Sequence, residues 1–285
     1  MSRALLIGGS GQLGTEIRRS WTRWEIVAPS HADLDIEDGN AVDAFVAHEK
    51  PDAVVNCAAF HNVDRCEAEP ERALAVNAIA VERLARSARD RNAIFVTIST
   101  DYVFDGTATV PYTERDCPRP LSAYAVSKLA GEQLVARLDS RALVVRTCGV
   151  YGVRPSAGKG HTFVDRVIAQ GRAKETIRIV NDVTASPTFA GHLAEALLSL
   201  VESGATGLFH AADVGPVTWY DFAVEALRQA GVDHPVEPIA AASWKAPARR
   251  PAFSALDSGK LRTLGIEMPG WREGIAAYLR LKNQA

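Results

Sequence analysis

Short apolar runs alternate with helical stretches through the first half of the chain. Residues 4–8 (ALLIG) form a first apolar run, followed by a helical pattern over 12–21. A second strand pattern covers 24–28, and a helix over 40–50 ends at Pro51, whose ring cannot continue it. Residues 52–59, 93–99 and 142–147 are further strand runs, separated by helical patterns over 71–90 and 122–139. Strands that are apolar on both faces and spaced by helices specify an α/β protein, a doubly wound parallel sheet covered on both sides. Its crossovers should be right-handed. The pattern changes after about residue 150. A polar loop at 153–162 leads to helices over 162–170, 188–202, 218–231 and 271–282, with strand runs at 177–180 and 207–212. Residues 237–256 mix Pro, Ala and basic side chains and specify no element. The expected organisation is a nucleotide-binding domain over 1–152 and a smaller, mainly substrate-binding lobe over 153–285, with about 177–212 rejoining the sheet.

Composition narrows the class. The 285 residues are 47% apolar and 23% charged with a net charge of −2, an ordinary globule that is not suited to nucleic acid or another polyanion. No stretch approaches the roughly 20 apolar residues of a membrane helix, and MSRALLIGGSGQLG is too interrupted by glycine for a signal peptide. Cys57, Cys66, Cys117 and Cys148 form no CxxC pair, so free thiols and a cytoplasmic location are expected. The seven histidines are scattered, with no HExxH or Cys/His cluster, so no metal site is predicted. There is no GxSxG elbow either.

Gly8-Gly9-Ser10-Gly11-Gln12-Leu13-Gly14 follows the first strand directly. A glycine turn between strand and helix lets backbone approach a pyrophosphate and offers it the free N–H groups of the helix start. This predicts a dinucleotide cofactor. The second strand tip reads Ala28-Pro29-Ser30-His31, with no acid to hold a ribose 2′-hydroxyl and Asp33 some residues later. Ser30, His31, Arg18 and Arg19 could serve a 2′-phosphate, so NADPH is expected over NADH. Asp35-Ile36 either touches the adenine edge or is simply an acidic helix approach.

Tyr124-Ala-Val-Ser-Lys128 puts a phenol and an ammonium one turn apart on a helix face. A cation near the phenol favours phenolate and suits the pair to proton transfer. Ser99-Thr100 ends the fourth strand, where parallel sheets place ligands. Thr100 and Tyr124 would there grip one carbonyl oxygen and stabilise the alkoxide that forms as hydride arrives. Asn77 falls inside the apolar stripe of Leu74, Val81 and Leu84, and a buried amide must find partners, structural or close to the reaction.

Taken together, GGSGQLG (8–14), VVNCAAFHNVDRCE (54–67), STDYVFDG (99–106), YAVSK (124–128), RTCGVYG (146–152), KGHTF (159–163), SPTF (186–189) and RRPAFSAL (249–256) resemble the extended short-chain dehydrogenase/reductases, in particular the dTDP-4-dehydrorhamnose reductase family. The motifs cover nearly the whole chain in the family's order. The resemblance implies a Rossmann-type fold and reduction of the C4 ketone of dTDP-4-dehydro-L-rhamnose. It implies Thr100, Tyr124 and Lys128 as catalytic residues. Gly8, Gly11, Gln12, Leu13, Gly14, Ser30, Asp35, Ile36, Ala58, Ala59 and Lys128 would meet NADPH or NADH. His61, Val63, Tyr102, Gly149, His161 and Arg250 would meet the nucleotide sugar, with Arg250 near its diphosphate. Some members are homodimers with Mg2+ between subunits. Three positions depart from the pattern: Gly149 replaces a tryptophan beside the substrate, His61 a threonine and His161 an asparagine. His61 or His161 is the expected filler of the space at Gly149. A reductase for another dTDP-4-keto-6-deoxy sugar fits the same trio. A nucleotide-sugar epimerase or dehydratase shares the fold, but STDYVFDG lacks the acidic pair of a dehydratase. A regulatory subunit resembling the beta subunit of methionine adenosyltransferase would not need the intact trio.

Overall fold

In the computed structural model, residues 1–138, 141–154, 160–243 and 246–284 are described. Strand β1 (Ser2–Ile7) runs into helix α1 (Gln12–Ser20), β2 (Trp24–Val27), α2 (Gly39–Glu49) and β3 (Ala53–Asn56). A six-residue helix, α3 (Val63–Ala68), follows, capped by the Asn62 side chain on the Arg65 N–H. Helix α4 (Pro70–Leu74) continues through a π-helical turn (Ala75–Ile79) into α5 (Ala80–Arg89), so the helix expected over 71–90 is one rod with a bulge at Asn77. Then come β4 (Ile94–Thr100), α6 (Ala123–Ala136) and β5 (Ala142–Thr147). The later elements are α7 (Phe163–Arg172), β6 (Ile177–Val180), β7 (Thr184–Ala185), α8 (Ala190–Glu202), β8 (Gly207–His210), β9 (Val217–Thr218), α9 (Trp219–Gln229), β10 (Val236–Ile239), α10 (Gly259–Arg262) and α11 (Trp271–Lys282).

The main sheet is parallel throughout, in the order β2-β1-β3-β4-β5-β8. It is a Rossmann-type doubly wound sheet, and the winding reverses between β1 and β3, which opens a ligand crevice at their carboxyl ends. The alternation of a strand is visible in β1: Ala4 and Leu6 join one core with Ile17, Trp21, Leu193 and Leu197, while Leu5 and Ile7 join the other with Val42, Val46, Val81 and Leu84. Of the segment expected to rejoin the sheet, α8 packs on α1 and β8 extends the sheet. Strand β6 instead pairs with β10 in a two-stranded sheet of its own. Around it the smaller lobe has an aromatic core of Tyr151, Phe189, Phe222, Trp271 and Tyr278. Among the described residues no helix is long and apolar enough to cross a membrane.

Candidate active site

The glycine turn has the form its residue types demand. Gly8 has a φ of +78°, the left-handed region, and a Cβ there would lie 2.9 Å from the Ala58 nitrogen. A Cβ at Gly14 would lie 2.4 Å from the Gly8 carbonyl oxygen, so α1 can start this close to the turn only with glycine. No side chain caps α1 and no acid lies in its first turn, which leaves its N–H groups to an anion. Ala58 thus walls the turn, with Ala59 next along the chain. The residues present fit a dinucleotide pyrophosphate.

The second strand tip differs from expectation. Asp33 folds back so that its carboxylate accepts hydrogen bonds from the Ser30 N–H (2.9 Å) and hydroxyl (2.7 Å), which hold it below the usual carboxylate range. An acid therefore does stand at the strand tip, and the Ser30 donor is engaged by it. Arg19 is paired with the buried Glu16 at 2.7 Å. Ile36 is buried in the core beside Leu34, while Asp35 is exposed and accepts from the Glu37 N–H.

Thr100 closes β4, and its hydroxyl lies against three groups. It accepts from the Tyr102 N–H (3.2 Å) and lies 3.0 Å from Asp101 Oδ1, and the neighbouring Tyr124 phenol feels its pull. The Tyr102 ring meets Tyr124 edge to face, with centroids 6.3 Å apart. Lys128 is 5% exposed, and burial lowers its ammonium to about 8 against the opposing pull of Glu132 and Cys57. The same neighbourhood pushes the Cys57 thiol up to about 12, chiefly through burial. Lys128 therefore stands beside the end of β3, near the glycine turn. The spacing of Tyr124 and Lys128 predicts a lowered phenol. In the structure burial raises Tyr124, an ionised Asp101 would raise it further, and only Thr100 draws it down. A lysine with a depressed affinity for its proton is a weakened source of field.

Two constructions hold α6 in place. Asn77 accepts from the Phe60 N–H (2.9 Å) and donates to the Phe60 carbonyl (3.0 Å) and the Ser127 hydroxyl (3.0 Å), tying the loop after β3 to the catalytic helix. Gly131 lies so near the bulge that a Cβ would meet the Asn77 carbonyl oxygen at 2.3 Å. On the sheet side Glu132 receives the Ser99 hydroxyl and a buried ion pair from Arg146 at 2.6 Å. Position 132 is one turn beyond Lys128, and Ser99 and Arg146 are register partners on β4 and β5.

Arg250 donates to Asp64 Oδ2 at 2.9 Å, and Asp64 Oδ1 also accepts from the Ala248 N–H at 3.2 Å. This clasps the chain around 248–250 to α3, near Val63, and the Arg250 charge is felt at the Tyr102 phenol. His61 is exposed, with Nδ1 3.4 Å from the Ala59 carbonyl. His161 is exposed on the approach to α7, and Lys159 of the KGHTF motif lies outside the described residues. Neither histidine fills the space at Gly149. A Cβ there would lie 2.9 Å from Cη2 of Trp219, and Gly149 has a φ of +49°. Trp219 arrives because β7 and β9 pair and its N–H bonds the Val183 carbonyl at 3.2 Å. Sequence patterning gave no sign of Trp219. Asp101 and Cys148, both buried here, were equally unmarked. The charge of Asp101 directly behind an apolar strand was the one available signal. The described residues of a single chain bring together no group of three His, Cys, Asp or Glu side chains fit to hold a metal ion.

A glycine-turn crevice, a tyrosine and lysine one helical turn apart, and a strand-end threonine beside that tyrosine define an extended short-chain dehydrogenase/reductase, an NAD(P)H-dependent oxidoreductase. Residues 2–283 match the family described as the RmlD substrate binding domain. The chain belongs to the dTDP-4-dehydrorhamnose reductase family. It is 36% identical to the dTDP-4-dehydrorhamnose reductase of Streptomyces griseus over 96% of this chain and 91% of that one. It is 35% identical to the dTDP-4-keto-6-deoxy-D-glucose reductase of Streptomyces niveus, over 93% and 91% of the two chains. The crystal structure of dTDP-4-dehydrorhamnose reductase from Bacillus anthracis, in complex with NADP, superposes with a TM-score of 0.92 at 32% identity, covering 98% of this chain and 99% of that one.

Proposed function

We propose that the protein reduces the C4 ketone of dTDP-4-dehydro-L-rhamnose to give dTDP-L-rhamnose, with NADPH or NADH as the hydride donor, Asp33 at the β2 tip weighing against the preference for NADPH that the strand-tip sequence alone predicts. The observation that carries this reading is the convergence of the buried Thr100 at the end of β4 with the Tyr124 phenol, whose affinity for its proton it influences, and with the buried Lys128 one turn further along α6. The nicotinamide, when bound, supplies the hydride. The glycine turn and the start of α1 hold the pyrophosphate, and Lys128 orients the nicotinamide ribose. Thr100 and Tyr124 direct their hydroxyl hydrogens at the ketone oxygen, and the Tyr124 proton neutralises the developing alkoxide. Arg250 faces the diphosphate, while His61, Val63, Tyr102, His161 and the Gly149 rim surround the nucleotide sugar. The name of the S. niveus relative, and an indole from α9 at Gly149, support a second reading in which another dTDP-4-keto-6-deoxyhexose is reduced by the same trio.

Nicotinamide oxidation measured over a panel of dTDP-4-keto-6-deoxy sugars tests both readings. Tyr124→Phe should lose about 10²–10⁴-fold in kcat while binding cofactor normally. Retention of more than half the wild-type kcat would overturn the assignment of Tyr124.

A further inference from the structure

Asp101 is 3% exposed, directly behind Thr100. Its two oxygens have different company. Oδ2 accepts from the Cys148 thiol at 3.0 Å, and the buried Ser254 nearby draws the carboxyl toward ionisation. Oδ1 lies 3.0 Å from Thr100 Oγ1. Thr100 has one hydrogen to give and two lone pairs. One lone pair is taken by the Tyr102 N–H.

The ionisation of Asp101 therefore decides where the Thr100 hydrogen points. If Asp101 is a carboxylate, Oδ1 can only accept, and it takes that hydrogen. The remaining lone pair of Thr100 then accepts from Tyr124, and both donors turn away from a substrate. If Oδ1 carries a proton, it donates to Thr100, and the Thr100 hydrogen is released toward the pocket. We propose that Asp101 is a positioning residue that works as a neutral carboxylic acid, donating to Thr100 so that Thr100 and Tyr124 can both donate to the ketone oxygen. This rests on the ketoreductase reading of the site. Burial raises Asp101 above the usual carboxylate range, in the direction the inference needs. The titratable groups that face it are the Cys148 thiol from the end of β5, Tyr102, and Tyr124 from α6, with Arg250 felt at Tyr102. The thiol and the phenols are all raised themselves and stay neutral near pH 7.

The test compares Asp101→Ala and Asp101→Asn in the full-length enzyme with NADPH and the best keto sugar. Asp101→Ala should lose about 100-fold in kcat, the scale of a misdirected donor to the oxyanion. Asp101→Asn, whose amide donates to Thr100 at every pH, should recover most of that loss. It should also lack the fall in kcat that the wild type shows as rising pH ionises Asp101. Cys148→Ala removes a donor to the carboxylate and should move that fall to higher pH, whereas Cys148→Ser should move it lower. Independently of activity, the infrared spectrum of the ligand-free protein at pH 7 should contain a carboxylic acid C=O band that Asp101→Asn lacks. Three results would overturn the inference: no such band, no rescue by Asp101→Asn in a folded protein, or pH profiles unmoved by both Cys148 variants. A wild type that fails to oxidise NADPH in the presence of any keto sugar of the panel would overturn the ketoreductase reading instead, and the infrared band would still decide the state of Asp101.

Discussion

Adding one methyl group at position 149 should be costly, and the steric part of that cost should vanish when Trp219 is removed. Gly149 has a φ of +49°, where an L-residue costs roughly 1–2 kcal/mol relative to glycine. The new Cβ would sit 2.9 Å from Trp219 Cη2, 3.3 Å from Cζ2 and 3.4 Å from the Pro187 Cα. Overpacking of this kind costs about 1–3 kcal/mol, because the indole is held against Phe163 and Phe222 at centroid distances of 4.9 and 6.0 Å. Gly149→Ala should thus destabilise by about 2–5 kcal/mol. Trp219→Ala alone should cost about 2–3 kcal/mol, below the range for a fully buried aromatic because Trp219 is partly exposed. In the double variant the backbone cost remains and the clash does not, which leaves a coupling of about 1–3 kcal/mol. Equilibrium urea unfolding of the four proteins measures it. Additivity within about 0.5 kcal/mol would refute the contact. The same variants should raise KM for the sugar more than KM for the cofactor if the indole borders the substrate.

Asp33→Asn removes the anion at the β2 tip and should raise the NADPH-to-NADH ratio of kcat/KM by about tenfold, the scale of one charge beside a 2′-phosphate; an unchanged ratio would show that Asp33 does not read the ribose. Arg146→Met leaves Glu132 buried without its cation and should destabilise by about 3–5 kcal/mol in urea unfolding, whereas a loss under about 1 kcal/mol would mean that the pair does not secure α6. Burial depresses Lys128 to about 8, so below that pH the folded state carries a buried charge that the unfolded state hydrates. The unfolded chain holds more protons between pH 8 and the ordinary lysine value of 10.5, and this residue's contribution to stability rises with pH there. Lys128→Met should therefore be more stable than wild type at pH 7 by about 2–3 kcal/mol, with the gap closing by about pH 10.5 in pH-dependent unfolding.

The sheet was legible because buried parallel strands leave continuous apolar runs and their helices leave periodic ones; every strand of the six-stranded sheet overlaps a run seen in the sequence, with β1 starting two residues before its run and β4 ending one residue after. Helix α3 was not, since six residues hold too little periodicity and its signal is one capping asparagine. The described part of the 237–256 stretch has no pattern of its own because tertiary contacts organise it, among them Asp64 at Ala248 and Arg250 and Thr184 at Ser254. Thr100, Tyr124 and Lys128 were visible as chemistry at a strand end and on a helix face. Trp219 was not, because its neighbour Gly149 lies 70 positions earlier and only the pairing of β7 with β9 joins them. Asp33 was seen but placed too far along the chain, because a side chain turned back onto its own strand tip leaves no trace in spacing.

Gly131 makes one position of the chain an evolutionary checkpoint. With 2.3 Å between its missing methyl and the Asn77 carbonyl, even alanine must push α6 away from the bulged helix. That displacement would carry Tyr124 and Lys128 with it, since both ride on the same rod. A lineage drifting at residue 131 would therefore lose turnover through a site that touches no reactant, and genetic screens would score it as a catalytic position. Recovery would come from second-site changes in the Asn77 turn, so the two segments should be inherited as a pair.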